Sequence, residues 1–326
     1  MRVLSGIQPS GALHVGNYFG ALAPQLELQA KHETFYFIAD YHSMNSVRDP
    51  GERRALTRGV ALDYLACGLD PEHAALYRQS DFPEVTELAW ILSTVTPMGL
   101  LERAVAYKDK IAQGLSADHG LFAYPVLQAA DILIVNPDAV PVGQDQKQHI
   151  EMTRDMAGRF NHTYGELFKL PEPLIREEVA VVPGTDGRKM SKSYGNVIPM
   201  FASKGQTKKA VMGIVTDSTP VEEPKKWDLP LFQLWSLFAD AGEREAMRQR
   251  AEAGGLGYGD AKKELLARVL DHFGPLRARR EDWEKRPDDV EDVLARGVAR
   301  AREIGGPILE QARQASGLGP APKAGR

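Results

Sequence analysis

Residues 3–18, VLSGIQPSGALHVGNY, decide the fold class. An apolar, strand-like run opens this stretch, and a loop containing Gly11 leads to a helix that begins near Gly16. In open α/β sheets, ligands bind where a strand ends and a helix begins, because the free amides of the helix N-terminus attract phosphate. His14 and Asn17 add two side-chain donors there. The stretch therefore predicts a phosphate-binding turn, although a capped helix after a polar loop has the same pattern.

The rest of the sequence extends this α/β pattern. Short apolar runs alternate with helix-length segments up to about residue 190, which predicts a doubly wound, mainly parallel sheet. The further predicted strands lie at 34–39, 74–78 and 139–142. The further predicted helices begin near Pro50, Glu84, Pro125 and Asp145. Pro24 is expected to break the first helix, since proline lacks a backbone N–H.

After about residue 207 the strand signals stop. The remaining predicted helices lie at 207–215, 230–239, 243–253, 260–280 and 288–315. We therefore predict an α/β domain over 1–200 with a helical insertion near 84–130, a helical domain over 201–315, and a disordered tail over 316–326.

Composition predicts a globular cytoplasmic enzyme. The chain has 326 residues, 40 Lys and Arg against 44 Asp and Glu, and 43% hydrophobic residues, which excludes collagen-like and charge-driven disordered classes. Cys67 is the single cysteine, so an internal disulfide or a cysteine-based zinc site is excluded, and no metal ligand is predicted. No signal peptide is recognised, and polar residues interrupt the most apolar run, 121–135. We therefore expect no membrane association.

A second candidate site is the cationic stretch GRKMSKS at 187–193. Lys189 and Lys192 are separated by Met-Ser in a loop that contains glycine and serine, which suits a flap over the phosphates of a nucleotide triphosphate. The spacing of a Walker A loop is absent. A solvated run of charges is the alternative for this stretch taken alone.

Together, His-x-Gly-Asn at 14–17 and Lys-Met-Ser-Lys-Ser at 189–193 resemble the double signature of class I aminoacyl-tRNA synthetases. Residues 6–11, 16–18 and 142–149 (VGQDQKQH) resemble the bacterial tryptophanyl-tRNA synthetase family in particular. The resemblance extends over most of the chain.

The resemblance implies a Rossmann-like catalytic domain, a helical domain that binds the tRNA anticodon arm, and a homodimer. It implies ATP and Mg2+ as cofactors, with L-tryptophan activated to tryptophanyl-adenylate and passed to tRNA(Trp). Its catalytic residues, which stabilise the transferring phosphate, are His14, Asn17, Lys189 and Lys192. The residues that it places on ATP are Gln8, Pro9, Ser10, Gly16, Asn17, Gly143, Gln144, Asp145, Lys189, Met190, Ser191, Lys192 and Ser193.

The amino-acid pocket is predicted on an apolar helix that carries Tyr124, Gln128 and Asp131 on one face. A buried carboxylate needs a donor, and the resemblance implies that Asp131 accepts the indole N–H of tryptophan. Pairing of Asp131 with an internal Arg or Lys is the alternative. The residues that the resemblance places on tryptophan are Leu4, Gln8, His42, Tyr124, Gln128, Asp131 and Gln146. A purely structural role is equally compatible with His42.

Several basic residues are weaker candidates, because a charged helix face is often only solvated. Lys108 and Lys110 are the candidates for phosphate contacts. The candidates for tRNA contacts are Lys208, Lys209, Arg277, Arg279 and Arg280.

The chain departs from the family at two pocket positions, with Leu4 in place of the Phe and Gln128 in place of the Met of many bacterial relatives. An amide beside the indole ring predicts tolerance of a polar ring substituent such as a hydroxyl group, or else weak tryptophan activation. Three alternatives stay open at this point: a tyrosyl-tRNA synthetase, a small nucleotidyltransferase, and a regulatory paralogue that binds tryptophan but charges little tRNA.

Overall fold

The computed structural model describes residues 1–112, 118–143, 146–175 and 182–319, with the backbone alone described at 106, 109 and 110. Within these residues, five parallel strands form one sheet in the order β3-β2-β1-β4-β5. The strands are β1 Arg2–Ile7, β2 Glu33–Ile38, β3 Ala74–Arg78, β4 Ala139–Pro141 and β5 Glu172–Leu174. The strand order reverses beside β1, so a crevice lies beyond the carboxyl ends of β1 and β4.

The helices surround this sheet in the order that the α/β pattern predicts. They are α1 Val15–Asn17, α2 Ala23–Leu28, α3 Asp40–Ser43, α4 Pro50–Ala66, α5 Glu84–Ser93, α6 Met98–Leu101, α7 Val105–Ala112, α8 His119–Leu133, α9 Lys147–Tyr164, α10 Lys204–Met212, α11 Pro230–Ser236, α12 Ala241–Ala253, α13 Tyr258–Glu284 and α14 Pro287–Ala315. The predicted fold class is confirmed.

Two local expectations have different outcomes, and one strand was not expected. The break near Pro24 is confirmed, because a π-helical turn Tyr18–Leu22 separates α1 from α2 and proline occupies the first turn of α2. The predicted helix start near Pro125 is wrong: α8 begins at His119 and contains Pro125. Burial of the apolar face of α8 outweighs the missing proline N–H. Strand β5 was not predicted, since it has only three residues and contains proline.

Alternate side chains of β2 enter different hydrophobic cores. Tyr36 and Ile38 pack on the face covered by α4, α11 and α13, whereas Phe35 and Phe37 pack on the face covered by α5, α8 and α9. Helix α14 packs against the edge strand β3, where a Cβ on Gly297 would lie 1.9 Å from the Leu76 carbonyl oxygen. The C-terminal helix thus covers a sheet edge. The division into domains at residue 200 stays a prediction, as does the disordered tail, of which 320–326 lie outside the described residues.

Candidate active site

The turn after β1 is closed by a reciprocal cap between His14 and Asn17. The His14 backbone N–H donates to Asn17 Oδ1 at 3.1 Å, and the Asn17 backbone N–H donates to His14 Nδ1 at 3.3 Å. Because Nδ1 accepts a hydrogen bond, the ring proton of neutral His14 is assigned to Nε2. Burial, with a smaller effect of the Lys192 charge, lowers the pKa of His14 to about 4. The imidazole is therefore a neutral hydrogen-bond donor at pH 7.

The two signature segments, far apart in sequence, are in direct contact. The Val15 N–H donates to the Ile198 carbonyl at 2.9 Å, and the Gly16 N–H donates to Met190 Sδ at 3.3 Å. A Cβ on Gly16 would lie 3.1 Å from the His14 ring and 3.2 Å from Met190 Cβ, so a side chain fits poorly there. The fold thus brings 14–17 and 189–193 into one site.

Lys192 extends over the first loop. Its Nζ lies 3.2 Å from the position of a Cβ on Gly11, where the backbone has φ +134°. Lys192 begins a 3-10 turn, Lys192–Tyr194, and the hydroxyl of Ser191 before this turn lies 2.8 Å from the hydroxyl of Ser193 within it. Burial lowers the pKa of Lys192, and the negative charge of Asp63 opposes this shift. Lys189 is exposed at the preceding turn.

Asn196 holds the cationic loop in shape. Its Oδ1 accepts from the Ser191 N–H at 2.8 Å, and its Nδ2 donates to the Lys189 carbonyl at 3.1 Å and to Asp186 Oδ1 at 2.6 Å. The side chain is buried. Sequence reasoning missed this residue, although the pair Gly195-Asn196 is a signal of a turn closed by a side chain. In the structure Gly195 has φ +65°.

The amino-acid pocket centres on Asp131, which is only 2% exposed. Its carboxylate accepts from Gln79 Nε2 at 2.8 Å on each oxygen, and it lies 2.9 Å from His42 Nε2. Burial raises the pKa of Asp131, while the hydrogen bonds from His42 and Gln79 lower it. The alternative of an internal Arg or Lys partner is wrong for the described residues, because the polar partners are His42 and Gln79.

The other residues predicted for the amino-acid pocket have partners of their own or are partly exposed. The Tyr124 hydroxyl lies 2.5 Å from His149 Nε2, and its ring meets the His42 ring edge-on at a centroid distance of 6.4 Å. Gln128 is partly exposed one turn further along α8. The Gln8 Nε2 donates to the Ser46 hydroxyl at 3.1 Å, which joins the loop after β1 to the loop after α3.

The comparisons with known proteins agree with this geometry. The family model described as class I tRNA synthetases for W and Y matches residues 1–274. The chain belongs to this family. It is 54% identical to the tryptophan–tRNA ligase of Fusobacterium nucleatum, over 97% of this chain and 98% of that protein. The ligase of Rhodopirellula baltica is 53% identical, over 98% of this chain and 100% of that protein.

A solved structure has the same fold. The tryptophanyl-tRNA synthetase of Campylobacter jejuni complexed with ADP and tryptophan has a TM-score of 0.91 and 47% identity, covering 98% of this chain and 100% of that chain. The family resemblance stated from the sequence is thereby confirmed.

The other residues predicted to contact ATP or tryptophan in this class I synthetase differ in their exposure to solvent. Leu4 is 0% exposed and packs in the core beneath the site, so it offers no surface to a ligand in this structure. Pro9 is buried beside the exposed Gln8 and Ser10. Gly143 and Gln146 are exposed on either side of 144–145, and Gln146 precedes α9 as its N-cap. Gln144 and Asp145 lie outside the described residues, as does the Lys110 side chain, whereas Lys108 is exposed on α7.

Arg280, a candidate for tRNA contacts, forms ion pairs within this synthetase. Its Nε donates to Asp63 Oδ1 at 2.6 Å, and its guanidinium also contacts Glu284. Asp63 is buried on α4, and burial raises its pKa to about 6 against the opposing effect of Arg280. Lys208, Lys209 and Arg279 are exposed, and Arg277 is partly exposed.

Two features are absent from the described residues, a cluster of metal ligands and a membrane-spanning helix. No three His, Cys, Asp or Glu side chains in the described ranges are grouped so as to hold a metal ion. No helix among the described residues combines the length and apolar character needed for a membrane crossing.

Proposed function

We propose that this synthetase activates L-tryptophan with ATP and transfers it to tRNA(Trp). The observation that carries the proposal is that one domain combines the buried Asp131 carboxylate with the directly contacting 14–17 and 189–193 segments. The proposal is further supported by the near full-length similarity to a structure titled as complexed with ADP and tryptophan. The family includes enzymes for tryptophan and tyrosine, and the curated relatives described above are tryptophan–tRNA ligases.

At the nucleotide end, the protein acts by positioning and by electrostatics. The tryptophan carboxylate attacks the α-phosphorus of ATP, the bond between that phosphorus and the α,β-bridging oxygen breaks, and pyrophosphate leaves with the electron pair. The neutral His14 Nε2–H and the Asn17 amide donate to phosphate oxygens, while Lys189 and Lys192 neutralise charge on the departing pyrophosphate. Exposed Gln8 and Ser10 and the backbone at Gly16 contact the nucleotide, and the residues after β4 contact its ribose. We expect ATP to enter as its Mg2+ complex, in which the metal ion would supply positive charge to the phosphates.

At the amino-acid end, Asp131 accepts the indole N–H. A carboxylate offers about four acceptor positions, and the described contacts from Gln79 and His42 use at most three of them. A tyrosine phenol cannot place an N–H at the same point, and an unmatched buried polar group costs about 1–3 kcal/mol. Tyr124, Gln8 and Gln146 line the route to the amino-acid head group. Gln128 accommodates a polar substituent on the ring.

The second step uses tRNA(Trp), whose 3′-terminal ribose hydroxyl attacks the acyl carbon and releases AMP. The exposed Lys208, Lys209 and Arg279 of the C-terminal helices are the basic contacts that we propose for the tRNA. We also propose a homodimer, supported by apolar side chains exposed on α5–α7: Trp90 is 72%, Met98 63% and Ile111 50% exposed. Sedimentation equilibrium of the Trp90→Glu variant tests the dimer, which is expected to dissociate.

ATP–pyrophosphate exchange with tryptophan, tyrosine and 5-hydroxytryptophan tests the activation step. We expect exchange with tryptophan, none above background with tyrosine, and a relative rate with 5-hydroxytryptophan that falls in the Gln128→Met variant. Charging of a tRNA(Trp) transcript then tests the transfer step. Tryptophan binding without exchange would instead establish the regulatory alternative, and equal exchange with tyrosine would refute the assigned role of Asp131.

A further inference from the structure

A second buried polar side chain, Gln79, lies behind the proposed indole acceptor. It follows β3 and begins the 3-10 turn Gln79–Asp81, and it is only 1% exposed. Nothing in the sequence marks it as a site residue. We propose that Gln79 is a positioning residue that sets the preference for an indole N–H by holding the Asp131 carboxylate as an oriented acceptor. This inference rests on the proposed function.

The orientation of the Gln79 amide follows from its two partners. Its Oε1 accepts from the Tyr41 backbone N–H at 3.0 Å, and its Nε2 lies 2.8 Å from each oxygen of Asp131. A flipped amide would place two N–H donors against each other at Tyr41 and two acceptors against each other at Asp131. The flipped orientation is therefore excluded, and the amide directs its N–H group at the carboxylate.

The turn that carries Gln79 is hydrogen-bonded to helix α3, which carries His42. The Ser80 N–H donates to Asp40 Oδ1 at 2.9 Å, and the Ser80 hydroxyl donates to Asp40 Oδ2 at 2.5 Å. These bonds join the start of α3 to the turn after β3. The two donors that approach Asp131 consequently belong to one hydrogen-bonded unit, which leaves the carboxylate little freedom to rotate.

Gln79 also affects the ionisation of this carboxylate. The titratable groups that face it are His42 and Asp40 from α3 and Tyr77 from β3. His42 favours the ionised carboxylate, whereas Asp40 and burial oppose it. Without the Gln79 donor, Asp131 would be protonated more readily or would turn toward His42. Either change weakens the acceptor for an indole N–H but has no effect on a ring that lacks this donor.

The test compares tryptophan with 3-(benzothiophen-3-yl)alanine, in which sulfur replaces the indole N–H, in ATP–pyrophosphate exchange. In the Gln79→Met variant, we expect the ratio of kcat/KM for tryptophan to that for the analogue to fall about 10-fold or more. The change is expected in KM for the amino acid, with kcat and KM for ATP within about two-fold of the original enzyme.

Gln25→Met is the matched control. Gln25 is another buried glutamine, and it donates to the Ser5 hydroxyl at 2.7 Å and accepts from the Tyr64 hydroxyl at 2.7 Å on the other side of the sheet. Its replacement is expected to lower the unfolding temperature without changing the ratio. An unchanged ratio in folded Gln79→Met, with both substrates equally slowed, would overturn the inference. Absence of tryptophan-dependent exchange in the original enzyme would overturn the proposed function itself.

Gln79→Glu provides an independent test if the methionine variant does not fold. The glutamate keeps an acceptor for the Tyr41 N–H but donates to Asp131 only when it is protonated. The neighbouring carboxylates of Asp131 and Asp40 favour that protonated form. We therefore expect the tryptophan-to-analogue ratio of this variant to be higher at pH 6 than at pH 8. A ratio independent of pH, equal to that of the original enzyme, would contradict the positioning role.

Discussion

The two ends of the proposed active site are built differently. The nucleotide end joins two short segments, 14–17 and 189–193, through caps and backbone contacts, and it leaves cations such as Lys189 exposed. The amino-acid end gathers buried side chains that largely satisfy one another around Asp131. A site for a highly charged ligand thus keeps polar groups open to solvent, whereas a site that discriminates between rings places its polar groups inside the core. Substitutions should affect rate at the first end and selectivity at the second.

The largest effect on stability is expected from Asp63, a buried carboxylate whose electrostatic partners include Lys192. Arg280→Met leaves Asp63 without its 2.6 Å partner, and loss of one member of a buried pair costs about 3 kcal/mol in the free energy of unfolding at pH 7.5. The folded pKa of Asp63 is about 6, above its ordinary value of 3.8, so its ionisation destabilises the fold as pH rises.

The destabilisation by Arg280→Met should therefore shrink at pH 5, where Asp63 is protonated with or without Arg280. Urea unfolding at both pH values measures this difference. Arg279→Met, at an exposed position of the same helix, is the control and should change stability little at either pH. A loss of equal size at pH 5 and pH 7.5 would show that packing of Arg280, and not its charge, stabilises this contact.

Lys192→Met should give the largest effect on rate. Removing a cation that neutralises the departing pyrophosphate is expected to lower kcat of tryptophan-dependent exchange about 100-fold to 1,000-fold, with little change in KM for tryptophan. Lys208→Met, an exposed lysine of α10, should leave exchange unaffected because no tRNA is present in this assay. A rise in KM for tryptophan without a fall in kcat would contradict the expectation that the nucleotide end controls the rate and the amino-acid end controls selectivity.

Asp131→Asn should have the opposite effect, changing KM for tryptophan more than kcat. The loss of a charged acceptor is expected to reduce kcat/KM for tryptophan about 10-fold to 100-fold, mainly through KM. Because burial raises the pKa of Asp131, kcat/KM of the original enzyme should decline as the pH falls. The decline should occur at a higher pH than the protonation of a free aspartate would cause. This decline should be missing in the variant, and pyrophosphate exchange from pH 5 to pH 8 measures it. The same decline of kcat/KM at low pH in both enzymes would exclude Asp131 as the titrating group.

The smallest effect concerns His14. Its pKa of about 4 makes the ring neutral throughout the working range, so its protonation should not change the rate between pH 6 and pH 8. NMR titration of the His14 ring protons measures this directly. A midpoint near 6.5 would show that the ring is charged during part of this range and that its role as a neutral donor is wrong.

The order of strands and helices was largely predictable because apolar periodicity reports which face of an element is buried. Four of the five strands in the described residues and the break at Pro24 follow from such local patterns. The three-residue β5 does not, since its residues become a strand only by pairing with β4. The start of α8 was misplaced for a related reason, because packing of its apolar face overrides the local effect of Pro125.

The sequence by itself determined the family, the two signature segments and the identity of Asp131 as a buried carboxylate, because each depends on residue types at short, fixed spacings. Only the tertiary structure decided what surrounds them. Gln79 and the Asp63–Arg280 pair act through contacts between elements distant in sequence, and such contacts leave no periodic pattern. The partners of Asn196 lie within ten residues of it, but a contact inside a loop leaves no periodic pattern either. The physical reason is that a buried polar group must find its partner in three dimensions, and any donor that the fold brings within about 3 Å can serve.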